Sequence, residues 1–123
     1  MATAKFKAPV PPIAFHRVFV TLTGSVTAAL MLSQAIYWTR RTDDADGWFW
    51  KTQSGWEKET GLTRYEQESA RERLRALGFW EEKHREMPSK LFFRVDESAL
   101  NEALAVCGKT TYKYAEKPHT IYI

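Results

Sequence analysis

The sequence predicts a single α+β domain that combines a few helices with a small β-hairpin. The chain has 123 residues, which is the size of one domain, and its apolar residues recur at helical spacing in four segments interrupted by short strand-like runs. A hydrophobic fraction of 44% is enough to form a core without disulfides. Three of the five prolines fall in the first twelve residues. We therefore expect an extended arm over residues 1–12, one domain over 13–108 and an extended tail over 109–123.

The first predicted helix begins after Ser25, a favourable N-cap residue, and runs to about Arg41. Almost all its faces are apolar, which predicts a buried central helix. Its helically spaced apolar positions are Val26, Ala29, Leu30, Ile36 and Tyr37. The acidic segment 42–47 has the composition of a turn. It does not fit a calcium loop, because Gln53 stands where the twelfth position of that loop requires glutamate.

A short aromatic strand is predicted at Trp48–Lys51, followed by two helices separated by a tight turn. The first of these helices starts at Thr52 or Gln53 and ends at Gly61, a residue suited to the position that follows a helix. The second is capped by Thr63, and Glu66 completes a capping box. Its expected buried face carries Gln67, Ala70, Leu74 and Leu77, and it stops at Gly78.

Two further strands, 79–84 and 91–95, are joined by a polar turn that contains Pro88. A last helix is expected to open at Asp96 or Ser98 and to end near Gly108. The order helix, short strand, helix, turn, helix, hairpin, helix is that of a winged helix-turn-helix with a three- to four-helix core and a β-hairpin wing. In such a fold the helix after the turn fits the major groove, and a basic hairpin reaches the flanking DNA backbone.

Four segments of the chain carry a resemblance to a known family. They are Leu32–Trp38, Asp46–Thr52, Trp56–Thr63 and Leu74–Phe79. Together they resemble the winged-helix domains of phage and plasmid replication proteins, such as replisome organisers and replication initiators, over roughly residues 13–105. The resemblance implies DNA binding in a phage, plasmid or integrated-element setting, with a role in replication initiation or transcriptional regulation.

The candidate DNA-binding residues come from the helix that begins at Thr63 and from the hairpin. They are Thr63, Arg64, Tyr65, Glu68, Ser69, Arg71, Arg75, Lys83, Arg85 and Lys90. Arginines barely outnumber glutamates on the helix, and Glu68 suits a DNA groove only if it accepts from a cytosine amino group. Cations clearly outnumber acids on the hairpin, as phosphate contact requires.

A protein-binding function is the alternative hypothesis. The acidic residues Glu66, Glu68 and Glu72 favour it, as does an apolar tail that ends in Ile121–Ile123. Such a tail can add a strand to a partner or to a second copy, so we consider a homodimer formed through residues 109–123. The five tryptophans are expected to pack in the core rather than to stack on nucleic-acid bases, with Trp50 or Trp80 as the exception.

Several function classes are disfavoured. The single cysteine, Cys107, excludes an internal disulfide and a cysteine-based zinc site, and the three histidines lack metal-ligand spacing. Glu81 and Glu82 point to opposite sides of a strand, and there is neither a glycine-rich phosphate loop nor a catalytic Ser/His/Asp arrangement. We expect no enzymatic activity, cofactor, metal or small-molecule substrate. With no apolar run of about 18 residues and no signal peptide, a cytoplasmic location is expected.

Overall fold

The computed structural model describes residues 5–7, 12–85 and 89–115, with side chains described as far as Cys107. Over these residues the chain forms five helices and one three-stranded antiparallel sheet, so the predicted α+β class is confirmed. The elements are α1 (Arg17–Thr23), α2 (Val26–Arg41), β1 (Phe49–Trp50), α3 (Gln53–Thr60), α4 (Arg64–Ala76), β2 (Trp80–Arg85), β3 (Lys90–Val95) and α5 (Glu97–Ala115).

The sequence pattern does not predict the first helix, α1. It has seven residues and begins at Arg17, and its N-cap residue His16 provides no side-chain hydrogen bond. The hydroxyl of Thr23 donates to the carbonyl of Phe19 at 2.8 Å, and Gly24 ends the helix in the left-handed conformation at φ 74°. Phe19 is buried, and α1 packs against α2 and α5. Tertiary packing therefore stabilises a helix that is too short to form alone.

The central helix, α2, is confirmed with its predicted cap and end. The Ser25 hydroxyl accepts the backbone N–H of Ala28 at 3.1 Å, and the helix packs against α1, α4 and β3. Two of the positions expected to be buried are exposed, because Val26 and Tyr37 keep 59% and 42% of their accessible surface. The buried face instead consists of Ala28, Ala29, Met31, Leu32 and Ala35. When a helix is apolar on nearly every side, its sequence does not show which side faces the core.

The sheet has the strand order β1–β3–β2, and its register separates two faces. Side chains alternate along each strand, and directly paired residues point the same way. The inner face packs against the helices and carries Phe49, Trp80, Glu82, Leu91, Phe93 and Val95. The outer face points away from the helices and carries Trp50, Glu81, Lys83, Arg85, Lys90, Phe92 and Arg94.

The core lies between the inner face and the helices. At its centre an aromatic cluster joins β1, α3 and the hairpin, with ring centroids 5.3–6.3 Å apart for the pairs in contact. The cluster consists of Phe49, Trp56, Trp80 and Phe93. Edge-to-face and tilted ring pairs of this kind add to the stabilisation that area burial provides. The expectation that tryptophans mainly fill the core is therefore met by Trp56 and Trp80, which are 1% and 4% exposed.

The last helix, α5, corrects the predicted boundary of the C-terminal tail. It begins at Glu97, and the carboxylate of Asp96 accepts the backbone N–H of Ala99 at 3.1 Å, as the cap prediction requires. The helix passes Gly108 and continues to Ala115, so residues 109–115 are helical rather than extended. A lone glycine weakens a helix by about 1 kcal/mol and does not have to end it. Residues 116–123 lie outside the described part of the chain.

The predicted N-terminal arm is described only in part. Residues 5–7 and Pro12 have no regular secondary structure, and the other arm residues lie outside the described ranges. Among the described helices, none is by itself both long enough and apolar enough to cross a bilayer. The pair α1 and α2 reaches that length and composition only together, and the chain bends by 118° between them.

Candidate nucleic-acid interface

A tight turn between α3 and α4 sets the direction in which α4 projects. Gly61 adopts φ 78° and its N–H donates to the Glu57 carbonyl at 2.8 Å. The Thr60 hydroxyl donates to the Trp56 carbonyl at 2.6 Å and accepts the N–H of Leu62 at 3.1 Å. Leu62 is 5% exposed and belongs to the core. The turn is therefore anchored at Gly61, as the sequence predicts, and also at Leu62.

The capping box at the start of α4 is confirmed. The Thr63 hydroxyl accepts the N–H of Glu66 at 3.2 Å, and the Glu66 carboxylate accepts the N–H of Thr63 at 2.9 Å. Two backbone donors that have no partner inside the helix are thereby satisfied. This fixes the first turn of α4, where several of the candidate DNA-binding residues lie.

Gln67 stabilises the same turn through hydrogen bonds inside the protein. Its side chain is 2% exposed, and its amide nitrogen donates to the carbonyls of Gln53 at 3.1 Å and Leu62 at 3.0 Å. A buried amide needs such partners, so these two hydrogen bonds allow Gln67 to occupy the predicted buried face. Leu74 is fully buried as predicted. Leu77 is 37% exposed, which corrects its assignment to the buried face, because α4 ends at Ala76 and Leu77 is its C-cap.

The N-terminal half of α4 presents an exposed polar surface, which we call the α4 face. It consists of Thr63, Arg64, Tyr65, Glu68 and Ser69, all candidate DNA-binding residues. Tyr65 is 80% exposed, so its ring and its hydroxyl are accessible to a ligand. Arg64 pairs with Glu68 one turn on, at 3.2 Å. An exposed pair of this type contributes only about 0.3–0.5 kcal/mol and opens readily when either partner finds a better ligand.

Two other candidate residues of α4, Arg71 and Arg75, turn toward strand β2. Arg71 makes two hydrogen bonds of 2.8 Å to the carboxylate of Glu82, and Arg75 approaches the same carboxylate at 3.1 Å. The indole N–H of Trp80 also donates to Glu82, at 2.7 Å. Burial is the largest influence on Glu82 and opposes its ionisation, but these donors outweigh it and hold the pKa of Glu82 below its ordinary value.

The remaining arginine of α4 also has a partner within the protein. Arg73 donates to the Thr23 carbonyl at 3.2 Å, at the end of α1. All the arginines of α4 thus contact an oxygen of the chain itself. The carbonyl of Thr23 is uncharged, so only Arg64, Arg71 and Arg75 have a carboxylate as partner. With four arginines and three glutamates, α4 carries a net charge close to neutral.

The three candidate cations of the hairpin lie on the outer face of the sheet, each over an aromatic ring. The distances from the cationic group to the ring centroid are 4.0 Å for Lys83 over Trp48, 4.3 Å for Arg85 over Phe92 and 4.7 Å for Lys90 over Trp50. They therefore lie on the side of the sheet opposite Glu82 and α4. Lys90, beside the hairpin turn, also lines a groove together with Gln67 and Arg71 of α4.

A carboxylate network that the sequence analysis does not predict joins α2, β1 and α3. Glu59 accepts from Gln34 at 2.6 Å, from the indole of Trp38 at 2.8 Å and from Lys51 at 2.5 Å. Burial is the largest influence and raises the pKa of Glu59, but these three donors outweigh it and the pKa lies below its usual range. All four residues lie within the segments that carry the family resemblance. This shared location is the feature of the sequence that could have indicated the network.

The acidic turn between α2 and β1 satisfies its own backbone. The carboxylate of Asp44 accepts the N–H groups of Asp46 at 3.0 Å and Trp48 at 3.1 Å. These bonds, chiefly the one from Trp48, hold the pKa of Asp44 below its ordinary value. Within the described residues no group of three or more histidine, cysteine or acidic side chains is arranged as a metal site.

No protein-family model matches the chain, and neither a curated protein sequence nor a solved structure matches it significantly.

Proposed function

We propose that the chain is a winged-helix protein that binds double-stranded DNA. The α4 face would enter the major groove, and the end of the hairpin at Arg85 and Lys90 would contact the backbone. The single observation that carries this proposal is the α4 face itself, which holds an exposed tyrosine and polar side chains on a helix whose start is fixed by the capping box and Gln67.

The order and pairing of the elements support the winged-helix assignment. The short strand β1 precedes α3 and pairs with β3, and the β2–β3 hairpin follows α4 directly. Such an arrangement leaves the first half of α4 uncovered while the sheet supports its second half. The resemblance to phage and plasmid replication proteins favours the same fold.

The chemistry of the α4 face suits base reading more than general attraction to phosphate. Tyr65 and Ser69 carry hydroxyls that bond bases or phosphates. Arg64 can leave Glu68 for the two acceptors of a guanine edge, which frees Glu68 to accept from a cytosine amino group. An arginine–glutamate pair in this position would therefore read a G·C step through both members.

Arg71 and Arg75 have a different role in this proposal. Because Glu82 holds both guanidinium groups, Arg71 positions α4 against the hairpin and does not reach the ligand. The side chain of Arg75 is 47% exposed and retains nitrogen atoms that can donate to a phosphate. The basic charge for backbone contact would then come mainly from the hairpin end.

We further propose a role in replication initiation or transcriptional regulation, in the cytoplasm and in a phage, plasmid or integrated-element setting. The protein would act by binding and not as an enzyme, without a cofactor or metal. Its regulatory or initiating effect would follow from where it sits on DNA.

A salt titration tests duplex binding directly. Fluorescence anisotropy with a pool of random 20-base-pair duplexes would follow affinity between 50 and 200 mM salt. We expect affinity to fall with a log–log slope of about 0.9 for each phosphate contacted. Tyr65→Ala should weaken binding while the melting temperature stays unchanged. Failure of the wild-type chain to bind at low salt would refute the proposal.

The near-neutral charge of α4 favours a second candidate, a protein-interaction module. All the arginines of α4 contact oxygens of this chain, so α4 provides little attraction for phosphate. The partner that the sequence suggests is a second copy of the chain, bound through residues 109–123. Light scattering on the full chain and on residues 1–108 tests this candidate. A dimer that becomes a monomer on truncation would support it, and a monomer in both would refute it.

A further inference from the structure

The outer face of the sheet has features that duplex binding by α4 does not use. Trp50 points outward beside Phe92 and is 48% exposed, although it lies within a strand. Trp48, two residues earlier, faces the same side and is only partly buried. Aromatic residues on the outer face of a small sheet gain no stabilisation from core burial. A ligand-binding role would account for their position there.

Cations border these aromatic rings. Lys83 lies over Trp48, and the planar guanidinium of Arg85 lies over Phe92 at 4.3 Å. Within the described residues neither Lys83 nor Arg85 lies within ion-pair distance of a carboxylate, but both attract the carboxylate of Asp44. The Nε of Arg85 is buried without an acceptor. The two cations therefore have one carboxylate near them and can also attract an anionic ligand that reaches this face.

Part of this face lines a surface groove of about 420 Å³ beside the turn after α2, and Lys83 lies outside the groove. The walls of the groove include Arg41, Asp43, Asp44, Trp48, Trp50, Arg85 and Phe92. Arg41 adds a further cation, stacked on Tyr37 at 3.9 Å. The carboxylate of Asp44 is directed to the backbone N–H groups of Asp46 and Trp48, which reduces its repulsion of an anion.

We propose that this outer face binds single-stranded DNA, with an unpaired base stacked on Trp50 and the adjoining phosphates held by Lys83 and Arg85. Exposed aromatic rings between cations are what unpaired strands bind, because every base offers a flat face and every linkage a negative charge. A duplex hides the faces of its bases inside the stack and cannot use Trp50 in this way. The choice of DNA over RNA rests on the proposed duplex-binding function.

The α4 face and the outer face would then bind different forms of DNA. Trp48, Trp50 and Lys83 point away from α4, so a single strand and a duplex would occupy adjoining surfaces that meet at Arg85, at the end of the hairpin. A protein of this kind would hold an opened strand beside the duplex that it recognises.

Fluorescence anisotropy at 50 mM salt with fluorescein-labelled dT12 tests the proposal. Trp50→Ala should weaken binding by about 5- to 150-fold, the range for losing one base stack. Trp50→Phe should restore affinity to within about threefold of wild type, because it keeps a stacking ring. Lys83→Gln should lower the salt slope by about one, for one lost phosphate contact. Circular dichroism melting would confirm that each variant is folded.

Tyr65→Ala is the matched control, since Tyr65 is an exposed aromatic on the α4 face. We expect it to weaken duplex binding and leave dT12 binding unchanged, and Trp50→Ala to do the reverse. Wild-type binding to duplex but not to dT12 would overturn this inference alone, and binding to dT12 but not to duplex would overturn the proposed function alone. Equal loss of both ligands in Trp50→Ala, or tighter wild-type binding to U12 than to dT12, would also overturn the inference.

Discussion

Single side chains in α4 separate stability from ligand contact. Leu74 is fully buried against the core, whereas Leu77, three residues later, is 37% exposed at the helix end. Leu74→Ala should lower the free energy of unfolding by about 2–5 kcal/mol, because it removes buried methyl groups and leaves a cavity. Leu77→Ala is the control and should cost less than about 1 kcal/mol. Urea denaturation measures both, and equal losses would contradict the assigned orientation of α4.

Glu82 shows how much a charged residue on an inner face depends on its partners. Its carboxylate accepts from Arg71, Arg75 and Trp80. Glu82→Ala should lower the free energy of unfolding by about 3 kcal/mol, since it leaves partly buried donors without an acceptor. Glu68→Ala removes an exposed pair and should cost no more than about 0.5 kcal/mol. If the two variants unfold at the same urea concentration, the contacts of Glu82 stabilise the fold no more than the exposed pair of Arg64 and Glu68 does.

The sequence indicates which residues of α4 are buried or exposed but not which residues elsewhere in the chain they contact. Helical spacing places Gln67 on the buried side and requires a partner for its amide, and both expectations are met. Spacing within one helix contains no information on Glu82, because that residue meets Arg71 only after the hairpin folds over α4. Long-range pairing of this kind leaves no local signal, so the sequence pattern does not predict the contact between Arg71 and Glu82.

At the scale of elements, caps and turns were the most predictable features. The N-cap residues Ser25, Thr52 and Thr63 all accept the expected backbone N–H. These signals depend on contacts within three or four residues, so the sequence contains them completely. The helix α1 and the extension of α5 past Gly108 depend instead on tertiary packing or on tolerance of a glycine, and local rules missed both.

The capping box of α4 provides an element-level prediction. Thr63→Ala should lower the free energy of unfolding by about 1 kcal/mol, because the N–H of Glu66 loses its acceptor. Thr63→Ser keeps the hydroxyl and should stay close to wild type. Thermal denaturation followed by circular dichroism gives the comparison. A serine variant as unstable as the alanine variant would show that the hydroxyl contributes nothing.

The hairpin provides a second element-level prediction, on duplex DNA. Arg85→Met removes the charge but keeps an unbranched side chain over Phe92, so stability should change by less than about 0.5 kcal/mol. The log–log salt slope for duplex binding should fall by about one, for one lost phosphate contact. Lys58→Met, on an exposed position of α3, is the control and should leave the slope unchanged. An unaltered slope for Arg85→Met would remove the hairpin end from the proposed duplex interface.

The whole molecule should respond to acid through its two partly buried carboxylates, Glu59 and Glu82. The pKa values of Glu59 and Glu82 lie below their ordinary values in the folded protein, whereas in the unfolded chain glutamate titrates near 4.3. Their contribution to stability is therefore complete above about pH 4.3 and is lost as the pH falls through their folded pKa values. Urea midpoints measured from pH 6 to pH 3 should show this decline. Glu59→Gln and Glu82→Gln should each make the urea midpoint less dependent on pH. An equally steep decline in both variants would contradict the assignment of the acid response to these two carboxylates.

In the proposed function, Glu82 also has a consequence for the form of nucleic acid that the molecule would accept. By holding Arg71 and Arg75, its carboxylate joins the second half of α4 to strand β2. The spacing between the side chains that would enter a groove and those that would meet the outer backbone is then set by the protein. Such a spacing would fit one groove width, and the deep, narrow major groove of A-form helices would not admit α4. Glu82 would thus make binding sensitive to helical geometry although it does not itself contact the ligand.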